Sequence, residues 1–406
     1  MQLVFPSDRS IDRITYRMEA PQGEDCLAHA FEHPIQSPPL REIAKDKRSA
    51  VILISDISRL CPSYLFLERM LNELNAAGLP DSRIRIVVAL GMHRKQTEQE
   101  LRRLAGEAVY RRVQVLNHSP LSEDCVPLGM TSMGTPIEIN RHVAEAELRV
   151  VTGNIEPHAL AGMSGGIKAL VPGVASHRCI EHNHGLSRRF KAEIGNPDNP
   201  VRQDLEEALQ FLPVHFLFNV IVNHEQKVLE AVSGDIIAAH RAALQAARER
   251  FIIEVAEPYD TVIVSAGGYP KDTQLYQAVK SLKNAATITK PGGKIVLAAK
   301  CEEIFGNGIF QYWVETIQDR KLIVDKLKEQ FVLGAHKIEH IDQVLQNHEV
   351  FLYSDMPHSL VELVGFQPVS DLQACIDKLL ANPYGTIALM PFGGLTFPAL
   401  KGTPGI

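Results

Sequence analysis

The chain has 406 residues, 45% hydrophobic and 22% charged, with a formal net charge of −6. That length predicts two domains, each burying its own core, and the charge argues against a general attraction to nucleic acid. A membrane span needs about 18–20 uninterrupted apolar residues, and the longest apolar run, 211–222, is broken by Pro213, His215 and Asn219.

The opening MQLVFPSDRS lacks the basic-then-apolar order of a signal peptide. The six cysteines (Cys26, Cys61, Cys125, Cys179, Cys301, Cys375) lie far apart without a C-x-x-C pair. Both features predict a cytoplasmic protein with reduced thiols. AVILIS (50–55) reads as a strand buried on both faces. In the segment after it, Leu67, Met70, Leu71, Leu74 and Ala77 have helical spacing, and Gly78 is a stop. RIRIVVAL (83–90) is the next strand, and Thr97 with Glu100 forms a capping box opening a helix to about Leu104. VQVLN (113–117) and LRVVTG (148–153) complete a β-α-β-α-β series. A mostly parallel sheet covered by helices follows.

Residues 226–255 carry helical periodicity and predict a connecting helix. A second α/β unit starts near 257: TVIVSAGG (261–268), KIVLAAK (294–300), VFLYS (350–354) and TIALMP (386–391) are its strands. Asp272 is placed to cap the helix bearing Leu275, Val279 and Leu282. The expected fold is therefore α/β with two domains, each a mostly parallel sheet covered by helices. Residues 1–248 form the catalytic, cofactor-binding domain, 249–390 the second, and 391–406 a tail packing back on the first.

Four polar signatures follow predicted strands: DISR (56–59), GMHR (91–94), GNIEPH (153–158) and GGYPKD (267–272). Ligands of open α/β sheets bind beyond the carboxyl ends of strands, which predicts an active site in the cleft between the domains. Arg59 beside Asp56 is either a structural ion pair or a guanidinium held to recognise a carboxylate or phosphate. His93 and His158 read equally as loop histidines or acid/base groups. Lys168, in SGGIK, suits phosphate contact or nucleophilic attachment of a covalent group. Among His177, His182 and His184, one metal ligand with two bystanders fits better than a three-histidine site, because i and i+2 share a face only on a strand. Gln277 and Lys280 share a helix face. Neither G-x-G-x-x-G nor G-x-x-x-x-G-K-[ST] occurs at a strand end, which turns the reading away from common nucleotide cofactors.

Taken together, DISR, GMHR, PHALAGMSGGIKALVPG, His184 and YPKDTQLYQAVK resemble the nickel-pincer lactate racemase family, in family order and with its spacings from His158 to Lys168 and from Lys168 to His184. Ser58 stands where the family usually has threonine, and Leu60 replaces the proline after the arginine, with Pro62 two residues on. The resemblance implies a 2-hydroxy acid racemase or epimerase working by hydride transfer to a nickel-pincer nucleotide. It implies that Lys168 carries this cofactor through a thioamide, that His184 is the nickel ligand, and that Asp56, Ile57, Ser58 and Arg59 line the cofactor. His93 and His158 would be the acid/base pair, while Arg59, Tyr276, Gln277 and Lys280 would hold the substrate. Cofactor-synthesis enzymes would be the loading partners. The chemistry has a reason: removing a proton beside a carboxylate would make a dianion, whereas removing hydride leaves a neutral ketone, and the cofactor carries that step. A Schiff-base lysine enzyme and a non-enzymatic cofactor binder are the alternatives.

Overall fold

Apolar runs bounded by turn residues become the central strands of two parallel sheets. The structure is a computed structural model that describes residues 3–5, 9–381 and 384–402. It divides into two units, Glu19–Arg248 and Met1–Met18 with Glu249–Ile406. The first element, β1 (Asp12–Arg13), belongs to the second of these.

Unit Glu19–Arg248 contains β2 (Ala50–Ser55), α1 (Leu67–Ala76), β3 (Ile84–Ala89), α2 (Glu98–Ala105), β4 (Gln114–Asn117) and β5 (Leu148–Asn154). It continues with α3 (His177–Gly185), α4 (Pro200–Glu207), β6 (Phe216–Val222) and β7 (Val228–Gly234). The strands lie in the order β7-β6-β5-β2-β3-β4. Every neighbouring pair is parallel except β6 with β7. Ile52, Leu53 and Ile54 are completely buried, as a central strand demands. Helix α1 buries Leu67, Met70, Leu71 and Leu74, the stripe its spacing predicts. The Thr97–Glu100 capping box forms at the start of α2. The chain runs from β2 outward to β3 and β4 on one side, and from β5 to β6 on the other. Loops leaving the carboxyl ends of β2 and β5 therefore diverge and open a crevice at this switch point, and DISR and GNIEPH are those loops.

The predicted connecting helix over 226–255 is not what forms. Asn223 Oδ1 accepts from the N–H groups of Glu225 and Lys227, both at 2.9 Å, turning the chain so that β7 pairs antiparallel with the buried β6. Helix appears only later, at Ala238–Ala242 and Leu244–Phe251. A long-range ladder against an apolar strand outweighs local helical spacing there.

The second unit contains β8 (Tyr259–Ser265), α5 (Leu275–Ala286), β9 (Thr289–Ala298), α6 (Lys337–Leu345), β10 (Glu349–Tyr353), β11 (Gln367–Val369) and β12 (Ile387–Met390). Its sheet runs β1-β12-β8-β9-β10-β11, all parallel. Val262, Val264, Leu275, Val279, Leu282, Ile295 and Leu297 share one core. Its switch point lies between β8 and β12, so the GGYPKD loop and the Phe392–Gly394 turn flank it. There Gly393 N–H donates to Ser265 O at 2.8 Å.

Three expectations are corrected here. Strand β1 groups with the second unit and not with the first, because it extends the second sheet by pairing Asp12 with Ala388 and Arg13 with Leu389. The tail, described to residue 402, pairs Phe397–Leu400 with Ile252–Val255 and groups with the second unit. Asp272 does not cap α5, which starts at Leu275 after Gln274 and has no side-chain cap. Among the described residues no helix is long and apolar enough to cross a membrane.

Candidate active site

The loop after β2 is organised by one carboxylate. Asp56 is buried, and its Oδ1 accepts the Ser58 N–H at 2.8 Å and the Ser58 hydroxyl at 2.5 Å. This local turn uses the short Asp side chain to satisfy backbone. Its Oδ2 faces His93 Nδ1 at 3.2 Å and Arg59 Nε at 3.6 Å. Burial alone would raise the Asp56 pKa, but the His93 and Arg59 charges and these hydrogen bonds outweigh it and hold the carboxyl well below the usual range. Ser58 supplies the hydroxyl expected of a threonine, so that departure leaves the turn intact.

His93 reaches Asp56 from the loop after β3. Its N–H donates to Leu90 O, and the Gly91 N–H donates to Gly173 O, both at 2.9 Å. A buried carboxylate opposite Nδ1 requires the hydrogen there, so in the neutral ring Nε2 is the acceptor, and a proton taken at Nε2 gives the imidazolium that Asp56 stabilises. Arg94 is committed elsewhere: it forks onto Glu100 at 2.7 and 2.8 Å and fastens the loop to α2. Gln96, which the sequence did not single out, couples the two loops. Its Oε1 accepts the Ile57 N–H at 3.2 Å, its Nε2 donates to Arg94 O, and its own N–H donates to Asn117 Oδ1.

His158 follows β5, and its ring is held the opposite way. Nδ1 accepts the N–H groups of Leu160 and Ala161 at 3.2 and 3.3 Å, so its hydrogen sits on Nε2. The next turn needs glycine at 162, where φ is 69° and a Cβ would lie 1.6 Å from Asn196 O.

Lys168 lies in the 3-10 turn Gly166–Ala169. Gly165 and Gly166 have φ of 72° and 60°, and a Cβ at either would strike a polar side chain, Asn219 at 2.7 Å or Arg202 at 2.7 Å. Asn219 on β6 accepts the Gly166 N–H at 2.8 Å. The lysine is half-buried, yet burial first, then the Arg59 and Arg202 charges, brings its pKa down to about 7. An amine tuned this way is a nucleophile near neutral pH.

The three nearby histidines separate on α3. His177 lies 4.0 Å from Glu181, His182 Nδ1 meets Thr135 Oγ1 at 2.9 Å, and His184 is half-buried. Two residues apart on a helix, His182 and His184 point to different sides, so the three histidines do not converge. Among the described residues no group of three or more His, Cys, Asp or Glu side chains is set to hold a metal.

In the other unit, the first turns of α5 carry Tyr276, Gln277 and Lys280. A solvated helix surface does not describe them. Gln277 is 3% exposed, and neither end of its amide has a hydrogen-bond partner among the described residues. A buried amide left so costs about 1–3 kcal/mol. Lys280 and Tyr276 are half-buried, and Lys337 Nζ sits 4.5 Å over the Tyr276 ring.

Known proteins match this arrangement along most of its length. Residues 2–195 match the lactate racemase N-terminal domain and residues 255–385 the lactate racemase C-terminal domain. The lactate racemase of Thermoanaerobacterium thermosaccharolyticum is 31% identical over 91% of this chain and 89% of its own. That of Lactiplantibacillus plantarum is 31% identical over 82% and 80%. The solved lactate racemase apoprotein from T. thermosaccharolyticum superposes with a TM-score of 0.85 at 29% identity, over 97% of this chain and 96% of that one. A Thermotoga maritima crystal structure shares the fold, with a TM-score of 0.72 at 19% identity over 91% of this chain and 100% of that one. The chain therefore belongs to the lactate racemase family and is an isomerase of the racemase type.

Proposed function

We propose that this racemase inverts the C2 centre of a 2-hydroxy acid, lactate or a relative of it, with a nickel-pincer nucleotide attached at Lys168. The observation that carries the reading is Lys168 itself, an amine with a pKa near 7 in a glycine-cleared turn. The residues present fit the group: the glycine-cleared Lys168 amine would hold it covalently, the half-buried His184 would offer its nickel an imidazole donor, and Asp56, Ile57, Ser58 and Arg59 would line it. When bound, the group supplies an electron-poor carbon that takes and returns hydride.

The chain's own residues handle the proton and the carboxylate. His93 takes the substrate hydroxyl proton at Nε2, and the buried Asp56 carboxylate steadies the resulting imidazolium through Nδ1. His158 presents Nε2–H to the substrate oxygen. To serve as base in its turn, it must give up the Leu160 and Ala161 hydrogen bonds. Arg59 in one unit, and Gln277 and Lys280 with Tyr276 in the other, are the groups whose chemistry suits a substrate carboxylate, and holding it would let the flat keto acid turn over without leaving. Loading falls to cofactor-synthesis enzymes sharing a cytoplasm with the chain.

The test is intact-mass analysis and nickel quantitation of protein co-produced with those enzymes, then chiral chromatography of single 2-hydroxy acid enantiomers. A Lys168 adduct with one nickel and formation of the opposite enantiomer is expected. A fully loaded protein that inverts no 2-hydroxy acid would defeat the reading. The same depressed amine also suits a Schiff base with a carbonyl substrate, and borohydride trapping on Lys168 without nickel would favour that second reading.

A further inference from the structure

Beneath the tether turn lies a polar cluster with no part in substrate handling. Arg202, on α4, is completely buried. Its Nη1 donates to Met163 O at 3.0 Å, its Nε to Glu206 Oε1 at 2.7 Å, and its Nη2 reaches the His240 ring at 3.1 Å. His240, itself 1% exposed, meets Ser164 O through Nε2 at 2.8 Å. One tautomer satisfies both contacts: Nε2–H donates to Ser164, and Nδ1 accepts from Arg202. Burial and the Arg202 charge keep that ring neutral, its pKa well below the ordinary range. Met163 and Ser164 are the residues that lead into Gly165 and Gly166, and a Cβ at Gly166 would lie 2.7 Å from Arg202 Nη2 and 3.0 Å from the His240 ring.

A fully buried guanidinium is expensive and needs a compensating role. Glu206 balances it on the side away from the turn, and Glu206 is in turn shared with Arg241 at 3.5 Å. Among the described residues, the charges that bear on Lys168 are those of Arg59, paired with Asp56 in the β2 loop, and Arg202, paired with Glu206 on α4 and in contact with the neutral His240. The nearest groups on β5 and β6, Asn154 and Asn219, are neutral.

We propose that Arg202 is a positioning residue for cofactor attachment: with His240 it fixes the carbonyls leading into the tether turn and keeps a second cation beside Lys168, so that the lysine is presented as a nucleophilic amine. The inference rests on the proposed role of Lys168, but its test does not need the cofactor. Because Arg202 cannot lose its proton near neutrality, its field on Lys168 is constant, and removing it should raise the pH at which the amine becomes reactive.

Full-length apoprotein is pulsed with acetic anhydride across pH 5–10, and acetylation of the Lys168 peptide is read by mass spectrometry. The parent should show a midpoint near pH 7. Arg202→Met should raise it by about one pH unit or more, and Arg202→Lys, which keeps the charge, should bring it back toward the parent. Should Arg202→Met fail to fold, Glu206→Gln leaves the guanidinium less compensated and should move the midpoint down. An unchanged Lys168 midpoint in folded Arg202→Met, or an unchanged or raised one in Glu206→Gln, overturns the proposal. Failure of the cofactor reading shows separately, as no adduct on Lys168 after co-production with the loading enzymes while the apoprotein titration stands.

Discussion

The two sheets end in polar loops of opposite character. At the switch point of Glu19–Arg248, Asp56 has both oxygens engaged and the turn before Lys168 is gripped by Asn219 and Arg202. At the start of α5 in the other unit, Gln277 is buried with both amide ends unsatisfied. One region is organised before any ligand arrives. The other stores an unmet demand for hydrogen bonds: a carboxylate would accept from Nε2, and a hydroxyl would donate to Oε1. The contrast teaches where rigidity and where binding energy reside: cofactor geometry must be held tightly, whereas a substrate that comes and goes is best met by groups that gain their partners on binding.

The largest effect should come from breaking the organised side at its centre. Lys168→Ala should abolish the adduct, seen as loss of the mass increment, and reduce racemisation to background. Asp56→Asn comes next. An amide can offer His93 Nδ1 a hydrogen instead of accepting one, which forces the wrong tautomer, and turnover should fall by roughly 10²–10⁴. More than a tenth of parental turnover in Asp56→Asn would show that His93 is not the base. Stability gives a second readout. The folded carboxyl is held below its unfolded pKa of about 3.9, so its stabilisation is complete above that value and is lost as pH falls through the folded pKa. Urea midpoints of the parent should therefore decline more steeply below about pH 4 than those of Asp56→Asn.

Much of this contrast is legible in residues 50–158 before any coordinates, because parallel strands place successive polar loops at one edge. AVILIS, the Thr97–Glu100 box and the DISR and GMHR loops are local patterns, and local patterns survive folding. What escapes sequence is pairing at a distance. Nothing around Asp12 announces a partner at Ala388, and the periodicity of 228–234 suggests helix until β6 claims it as a strand. Arg202 and His240 sit 34 and 72 positions beyond Lys168 in chains of ordinary helical composition. Their meaning arises only where α4 and the helix after β7 converge beneath the turn. Gln277 is a half-case: its helical face is readable, its burial is not.

The unsatisfied side predicts an unusual sign. Gln277→Leu removes an orphaned polar group of similar size, so the apoprotein should gain about 1 kcal/mol in urea unfolding. The same change should raise KM for the substrate about 10–100-fold, the worth of a hydrogen bond to a charged group. Stabilisation together with weaker binding is what a ligand-directed amide produces. If the apoprotein instead loses stability, Gln277 has a structural partner and the two regions do not differ as argued.

The smallest expected effect is at Gln96, and it sharpens the comparison most finely. Gln96 makes no hydrogen bond to the His93 ring or the Asp56 carboxylate. It links the Ile57 N–H to the Arg94 carbonyl and so sets the separation of the DISR and GMHR loops. Gln96→Ala leaves the Asp56 and His93 side chains unaltered but frees their loops to drift, and a contact at 3.2 Å weakens as they separate. Turnover should fall by about tenfold or less, with KM nearly unchanged. Gln96→Glu, which keeps the acceptor for Ile57, should recover part of the loss. A fall in stability with no loss of turnover would mean that the loops are held apart by their strands alone, and that preorganisation on this side is a property of the sheet rather than of the bridge across it.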